Sequence, residues 1–154
     1  MPDPIIMKSL KCLFAAFCLA IGCAAAAGSV HPSIEVQHGW VRWLPGALPA
    51  AGYLTIINHG ATASALVKAS SPDYGDVMLH RTVTSGGMEN MEMVDRLKIP
   101  AHGEIDLSPG NYHLMLMHAK HPVAPGDEVP VVLQFSDGTA VHARLKVRPA
   151  NQLN

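Results

Sequence analysis

Apolar and polar residues alternate with a period of two through most of the chain beyond residue 28, where we find no helical period of 3.6. Alternation of this kind is typical of strands that bury one face and expose the other. The clearest case is near the end, where residues 129–135 and 141–147 both alternate. Asp137-Gly138 lies between them and predicts a two-residue hairpin turn.

Seven further segments show the same pattern or a short apolar run between turn signals. We expect strands at about residues 34–43, 51–58, 64–70, 76–84, 90–95, 104–107 and 111–117. Turn signals such as Ser85-Gly86-Gly87 and Pro109-Gly110 separate them. Eight or nine short strands at this spacing predict an all-β fold, either a β-sandwich or a barrel.

The start of the chain is typical of an export signal. Lys8 and Lys11 precede an uncharged run from Cys12 to Gly28 that ends in small residues. A basic start, a short apolar stretch and a small-residue end predict a secretory signal peptide over residues 1–27. Cleavage after Ala27 would leave residues 28–154 as a single domain in the periplasm. Two alternatives stay open: a retained membrane anchor and lipoprotein processing at Cys23.

Cysteine use and charge exclude several classes of protein. All three cysteines lie within the first 23 residues, so the processed chain has no disulfide, zinc–thiolate site or cysteine nucleophile. Lys and Arg number 11 against 12 Asp and Glu, for a net charge of −1. Without a basic block, a nucleic-acid groove is not expected. No carboxylate pair or Ser/His/Asp order indicates catalysis, so we expect no enzyme.

Methionine and histidine concentrate in one region. Beyond residue 7, all six methionines lie between residues 78 and 117, interleaved with histidines. In a strand over residues 112–117, His113 and Met115 would share a face, with Cα atoms about 6.6 Å apart. Imidazole with thioether is a soft ligand set that favours Cu(I). A blue-copper electron carrier also needs a Cys thiolate, which the processed chain lacks.

These residues resemble the periplasmic copper chaperones of the PCuAC type. The signature of that family is a His, ten residues, a Met, twenty-one residues and then His-x-Met. His80, Met91, His113 and Met115 match it with that spacing, and the likeness covers about residues 34–148. The chain departs from many relatives in having Arg81 directly after the first His, and it has no Met/His-rich tail that would add a second copper site.

The resemblance implies a cupredoxin-like Greek-key β-sandwich that binds one Cu(I) ion through His80, Met91, His113 and Met115. It also implies delivery of that ion to the dinuclear copper centre of cytochrome c oxidase subunit II, directly or through another copper chaperone. We expect a monomer whose processed form does not span the membrane.

Three alternatives use the same residues differently. A periplasmic copper-sequestering or tolerance protein would have the same site and another partner. A copper oxidoreductase would need an open coordination position, which four soft ligands around Cu(I) leave little room for. A structural or adhesion sandwich would bind no metal.

The remaining residues of these types have plainer expected roles. Met78, Met88, Met93 and Met117 are expected to fill the core or to surround the ion as a rim. His118 and His121 are expected in a solvated loop, with auxiliary copper binding as the alternative. Trp40, Trp43 and Tyr53 are expected to be packing residues, and His142 should face solvent.

Overall fold

The chain is built from strands alone in the part described by the computed structural model, residues 33–46 and 48–152. These residues form ten strands: β1 (Ile34–Trp43), β2 (Ala50–Asn58), β3 (Ser64–Ser70), β4 (Tyr74–Ser85), β5 (Met88–Met93), β6 (Leu97–Ile99), β7 (Gly103–Leu107), β8 (Tyr112–Ala119), β9 (Glu128–Phe135) and β10 (Ala140–Pro149). In these two ranges the structure contains no helix that could span a membrane. The predicted signal peptide, residues 1–27, lies outside the described residues.

The strands of the described residues form one continuous hydrogen-bonded path that does not close. Its order is β5-β4-β8-β2-β1-β10-β9-β3-β6, and β7 pairs with β2 beside that path. β1 and β10 run parallel, whereas the other pairs are antiparallel. β3 and β4 line a common cavity of about 240 Å³ without pairing, so the path folds back over itself. The prediction of an all-β sandwich is confirmed, and the barrel alternative is wrong.

The core lies between the inner faces of this folded path. Val41, Leu114, Leu116, Leu133 and Leu145 are completely buried there. Each buried aliphatic side chain of this size stabilises the fold by about 1.5–3 kcal/mol. Leu114 and Leu116 alternate along β8 with His113 and Met115, so burying the leucines directs the other two side chains to the outer face.

Two local predictions differ from the structure. β6 was not expected, because three residues followed by Pro100 are too short to show a period. The turn at Asp137-Gly138 is also longer than expected: Phe135 pairs with Thr139, and the loop between them has three residues. Gly138 adopts a φ of 86°, which suits a type I turn followed by a left-handed residue.

Gly52 on β2 lets β2 and β8 approach closely behind the outer face. A Cβ atom added there would lie 3.1 Å from Leu116 Cδ1 and 3.3 Å from Leu114 Cβ. Both leucines lie in the buried core, so neither contact has room to relax. Gly52 therefore helps to hold β8 at its position.

Candidate metal centre

Three neighbouring strands, β5, β4 and β8, bring the sequence-predicted ligands to one outer face. Opposite residues of paired strands share a face, with Cβ atoms about 4.5–5.5 Å apart. His80 lies opposite His113 on one side and opposite Met93 on the other. Met78 lies opposite Met115. Met91 lies opposite Thr82, which is the next residue after His80 on the same face of β4. The outer face thus carries two imidazoles surrounded by thioethers.

The two imidazoles lie at a distance that suits a shared ion. Their ring centroids are 5.9 Å apart, and the ring planes meet at 78°. Two rings that each reach one ion through a nitrogen about 2 Å away have centroids about 5 to 6 Å apart, depending on the angle at the ion. His80 Nδ1 and His113 Nε2 are both buried and make no hydrogen bond within the described residues. Buried ring nitrogens without partners are costly, and a metal ion bound between the two rings would satisfy both.

The backbone orients the ring of His113. Its Nδ1–H donates to the carbonyl oxygen of Asn111 at 3.2 Å, which leaves the lone pair on Nε2. Asn111 belongs to a turn that Gly110 closes with a φ of 79°, and its own N–H donates to the Ser108 carbonyl. A hydrogen bond of this kind, on the nitrogen away from the ion, commonly fixes the tautomer of a metal-binding histidine.

Electrostatics keep His80 in its neutral form. Burial lowers its pKa below the ordinary value of 6.5, and the neighbouring His113 imidazole lowers that pKa further. Both causes disfavour the imidazolium, so the lone pair is available at neutral pH. A neutral imidazole is the form that binds metal ions.

Thioethers supply the other donors. Met91 and Met115 line a cavity of about 310 Å³ together with His113, whereas His80 lies outside its lining. His113 is only 4% exposed but Met91 is 58% exposed, so the site is closed from the β8 side and open towards β5. No group of three or more His, Cys, Asp or Glu side chains in residues 33–46 and 48–152 could hold a metal ion. The thioethers of Met91 and Met115 are the soft donors that lie beside His113 in this cavity.

Two aromatic residues support the site from the neighbouring strands. Trp40 and Tyr53 have centroids 4.6 Å apart, and the ring of Tyr53 lies 6.5 Å from that of His113. Both are buried, as predicted, but they form a separate cluster with Ala51 on the outer face and do not enter the main core. Alternation in the sequence could have indicated this position on the outer face. Trp40 and Tyr53 are each next to a residue that the core buries, Val41 and Leu54, so their side chains point to the other face.

The other methionines and histidines divide by position. Met88 and Met93 are exposed, whereas Met78 and Met117 are half-buried. His118 and His121 are exposed as predicted, and each pairs with a carboxylate: His118 with Asp76 at 2.8 Å, and His121 with Asp73 at 3.1 Å. His118 belongs to β8 and not to a loop. His142 faces solvent, as its alternation with Ala143 predicted.

Comparison with known proteins identifies the family. Residues 34–147 match the family described as "Putative lipoprotein LpqE-like". "Putative lipoprotein Lxx21020" of Leifsonia xyli subsp. xyli is 32% identical over 132 residues, covering 85% of this chain and 79% of the relative.

Two solved structures share the architecture. The Cu(I)-loaded protein "CuI-DR1885" of Deinococcus radiodurans is 32% identical, covers 80% of this chain and 83% of its own, and superposes with a TM-score of 0.62. The "Copper-bound PCuAC domain from PmoF2" is 21% identical, covers 76% and 93%, and superposes at 0.64, which shows a common fold. Because the family match covers residues 34–147 and the architecture is shared, the chain belongs to the LpqE-like family of PCuAC-type domains.

Proposed function

We propose that the chain is a copper chaperone that binds one Cu(I) ion through His80, Met91, His113 and Met115. The observation that carries the proposal is a pair of buried imidazole nitrogens, His80 Nδ1 and His113 Nε2, on rings 5.9 Å apart; neither has a hydrogen-bond partner among the residues that the structure describes. Met115 shares the outer face of β8 with His113, and Met91 lines the cavity that both of these residues also line. Two nitrogens and two sulfurs complete a four-ligand set.

The chemistry of the donors favours Cu(I) over other biological metals. Thioether sulfur is a soft ligand that selects Cu(I), whereas magnesium, calcium and manganese prefer oxygen ligands. The copper-loaded relative from Deinococcus radiodurans, 32% identical to this chain, supports the same ion here. A methionine site also suits an oxidising compartment, where thiols tend to form disulfides.

The exposure of the ligands favours transfer over permanent storage. His113 is buried whereas Met91 is 58% exposed on the edge strand β5, so an incoming ligand reaches the ion from one side. Thioethers are neutral and leave without protonation. A partner's Cys or His can therefore replace Met91 first and the buried His113 last.

Delivery outside the cytoplasm completes the proposal. We infer that residues 1–27 direct export and that residues 28–154 form the working domain in the periplasm. The acceptor is the dinuclear copper centre of cytochrome c oxidase subunit II, or a second chaperone that loads it. The family description and the relative from Leifsonia xyli both carry the word lipoprotein, which supports a location outside the cytoplasm.

The test of the site is a Cu(I) titration of the purified domain under reducing conditions, in competition with a colorimetric Cu(I) chelator. We expect one ion per chain in the wild type. The double variant His113→Ala/Met115→Ala should lose the site, and His142→Ala, which removes an exposed histidine on β10, should bind as the wild type does. Unchanged stoichiometry and affinity in the double variant would show the assignment to be wrong.

The test of delivery is copper transfer. Mixing the loaded domain with the apo copper domain of oxidase subunit II at equimolar ratio under reducing conditions should move the Cu(I) ion, as metal analysis of the two separated proteins reports. A deletion strain distinguishes the alternative: lost oxidase activity in low copper supports delivery, whereas sensitivity to high copper with normal oxidase activity supports sequestration.

A further inference from the structure

Four cations lie side by side on the outer face of β1 and β10. Arg144, Lys146 and Arg148 alternate along β10 with the buried Leu145 and Val147, so all three point away from the core. Arg42 on β1 lies directly opposite Arg148 in the parallel pairing of these strands. We call this surface, made of Arg42, Arg144, Lys146 and Arg148, the basic face.

None of the four cations is neutralised within the described residues. The ion pairs found there use His59, Arg81, His118 and His121. Glu128 lies opposite Lys146 across β9 and β10, yet the two make no ion pair. Arg42 Nε is buried and has no hydrogen-bond partner in the described part of the chain. Like charges placed opposite each other destabilise a sheet. Since the whole chain has a net charge of −1, this is a local concentration of positive charge.

The aromatic cluster beneath the basic face holds two of these cations in place. The guanidinium carbon of Arg148 lies 5.3 Å from the ring centroid of Trp40, and that of Arg42 lies 5.9 Å from that of Tyr53. Stacking on a ring restricts the guanidinium while its N–H groups stay able to donate. Trp40 and Tyr53 are themselves packed together, so the platform is rigid.

The basic face adjoins the candidate metal centre. Arg42 lines the same cavity as Met91, His113 and Met115. Glu89 on β5 also lines this cavity but makes no ion pair with Arg42. A partner that contacted Arg148 and Arg42 would lie beside the open side of the copper ligands.

We propose that the basic face docks an acidic surface segment of the protein that exchanges copper with this chain. The inference rests on the proposed function and adds the chemistry of the partner. Guanidinium groups recognise carboxylates through paired hydrogen bonds, and positive charge steers an acidic partner before contact. A protein fits better than a membrane because the aromatic residues here, Trp40 and Tyr53, are buried and cannot insert into lipid.

The test uses two defined peptides with the same copper-binding end. One carries four glutamates before Gly-Cys-Gly-Gly-Cys, and the other carries four glutamines. In the transfer, bonds from Cu(I) to methionine and histidine break, bonds to the two cysteine sulfurs form, the thiol protons pass to the buffer, and copper stays Cu(I). We compare the wild type with Arg144→Gln/Lys146→Gln. The control is Lys68→Gln/Lys98→Gln, which removes two exposed cations from β3 and β6 at the same net charge.

We expect the wild type and the control to load the glutamate peptide about tenfold faster than the glutamine peptide at low salt. The basic-face variant should lose most of this preference. In 1 M salt, where the screening length is about 3 Å, the preference should vanish in all three proteins. Equal rates for the two peptides in the wild type, or an equal loss in the control, would overturn the proposal.

Two further measurements distinguish a failure of the docking proposal from a failure of the proposed function. Fluorescence anisotropy of the labelled peptides with the copper-free domain tests docking even if the chain binds no Cu(I), so a failed copper titration overturns the proposed function alone. Vesicles containing one third phosphatidylglycerol test the lipid alternative. Vesicle binding that the basic-face variant loses, together with no preference for the glutamate peptide, would assign the surface to a membrane and overturn the docking proposal.

Discussion

At the scale of residues, the six methionines of the strands differ in what surrounds them. Met91 and Met115 line the cavity beside His113, Met93 lies opposite His80, and Met78 lies opposite Met115. Met88 is 68% exposed at the start of β5, where it pairs with Ser85. Position relative to the two imidazoles therefore ranks their expected contributions to copper binding.

Met91→Leu keeps size and apolarity but removes a donor, so we expect it to weaken Cu(I) binding at least tenfold. Losing even an outer-shell partner of a metal ligand typically costs about 10- to 100-fold in affinity. Met93→Leu should weaken binding less. Met88→Leu is the matched control on the same strand and should bind as the wild type does. Chelator competition measures all three, and an equal loss in Met88→Leu would contradict the assignment.

At the scale of elements, the β4–β5 hairpin sets which methionines lie near His80. Ser85 pairs with Met88 across Gly86 and Gly87, which have φ values of 61° and 79°. Positive φ at both central residues is the signature of a type I′ turn, whose twist matches that of the strands. This two-residue turn places Met93 opposite His80 and Met91 opposite Thr82.

Gly87→Val puts a β-branched side chain at positive φ, which we expect to disturb this hairpin at a cost of about 1–3 kcal/mol. Because β5 is an exposed edge strand, the effect should appear mainly as weaker Cu(I) binding. Gly138→Val imposes the same strain at a φ of 86° in the β9–β10 hairpin and should lower the Tm without changing copper affinity. The opposite pattern in thermal melts and chelator competition would contradict this role of the β4–β5 turn.

The end of β8 is tied to the start of β4 by His121 and Asp73. The hydrogen bond and ion pair with Asp73 raise the pKa of His121 above 6.5, with a smaller contribution from the Pro122 carbonyl. A raised folded-state pKa means that this pair stabilises the fold fully below about pH 6.5, and that the contribution is lost as pH rises through the folded pKa.

Asp73→Asn should therefore lower the pKa of His121, as an NMR titration of its ring protons would show. Asp76→Asn is the matched control, because it removes the carboxylate beside His118 and should leave the His121 midpoint in place. A His121 midpoint that stays unchanged in Asp73→Asn would contradict the assigned cause.

At the scale of the whole molecule, the sandwich places two different chemistries on one outer surface. β5, β4 and β8 carry the imidazoles and thioethers, and β1 and β10 carry the basic face. β2 lies between the two groups of strands and contributes Tyr53, which approaches both His113 and Arg42. A partner docked on the basic face would therefore meet the open side of the candidate metal centre.

For the whole molecule we also predict export with removal of residues 1–27. We expect mass spectrometry of the protein from a periplasmic fraction to show a chain that begins at Gly28, because cleavage after Ala27 matches the small-residue end of the signal. A lipid-modified chain that begins at Cys23 would instead establish the lipoprotein alternative, and a chain retaining residues 1–27 would contradict export by cleavage.

The sequence by itself determined the all-β fold, nine of the ten strands, the family and the shared face of His113 and Met115. Each depends on local information: period two places alternate residues on one face, and the spacing of His80, Met91 and the His-x-Met element needs no knowledge of the fold. Strand β6 was not predicted because three residues are too few to show a period. The length of the loop at Asp137-Gly138 was not predicted because it depends on which residue Phe135 pairs with.

Only the tertiary structure decided which distant residues became neighbours. His80 and His113 face each other because β4 pairs with β8, and the hairpin register then places Met93 beside His80. Arg42 and Arg148 lie 106 positions apart in the chain and meet only in the parallel pairing of β1 with β10. Local patterns show which face a side chain occupies, whereas strand order and register, set by packing of the whole core, determine what it contacts.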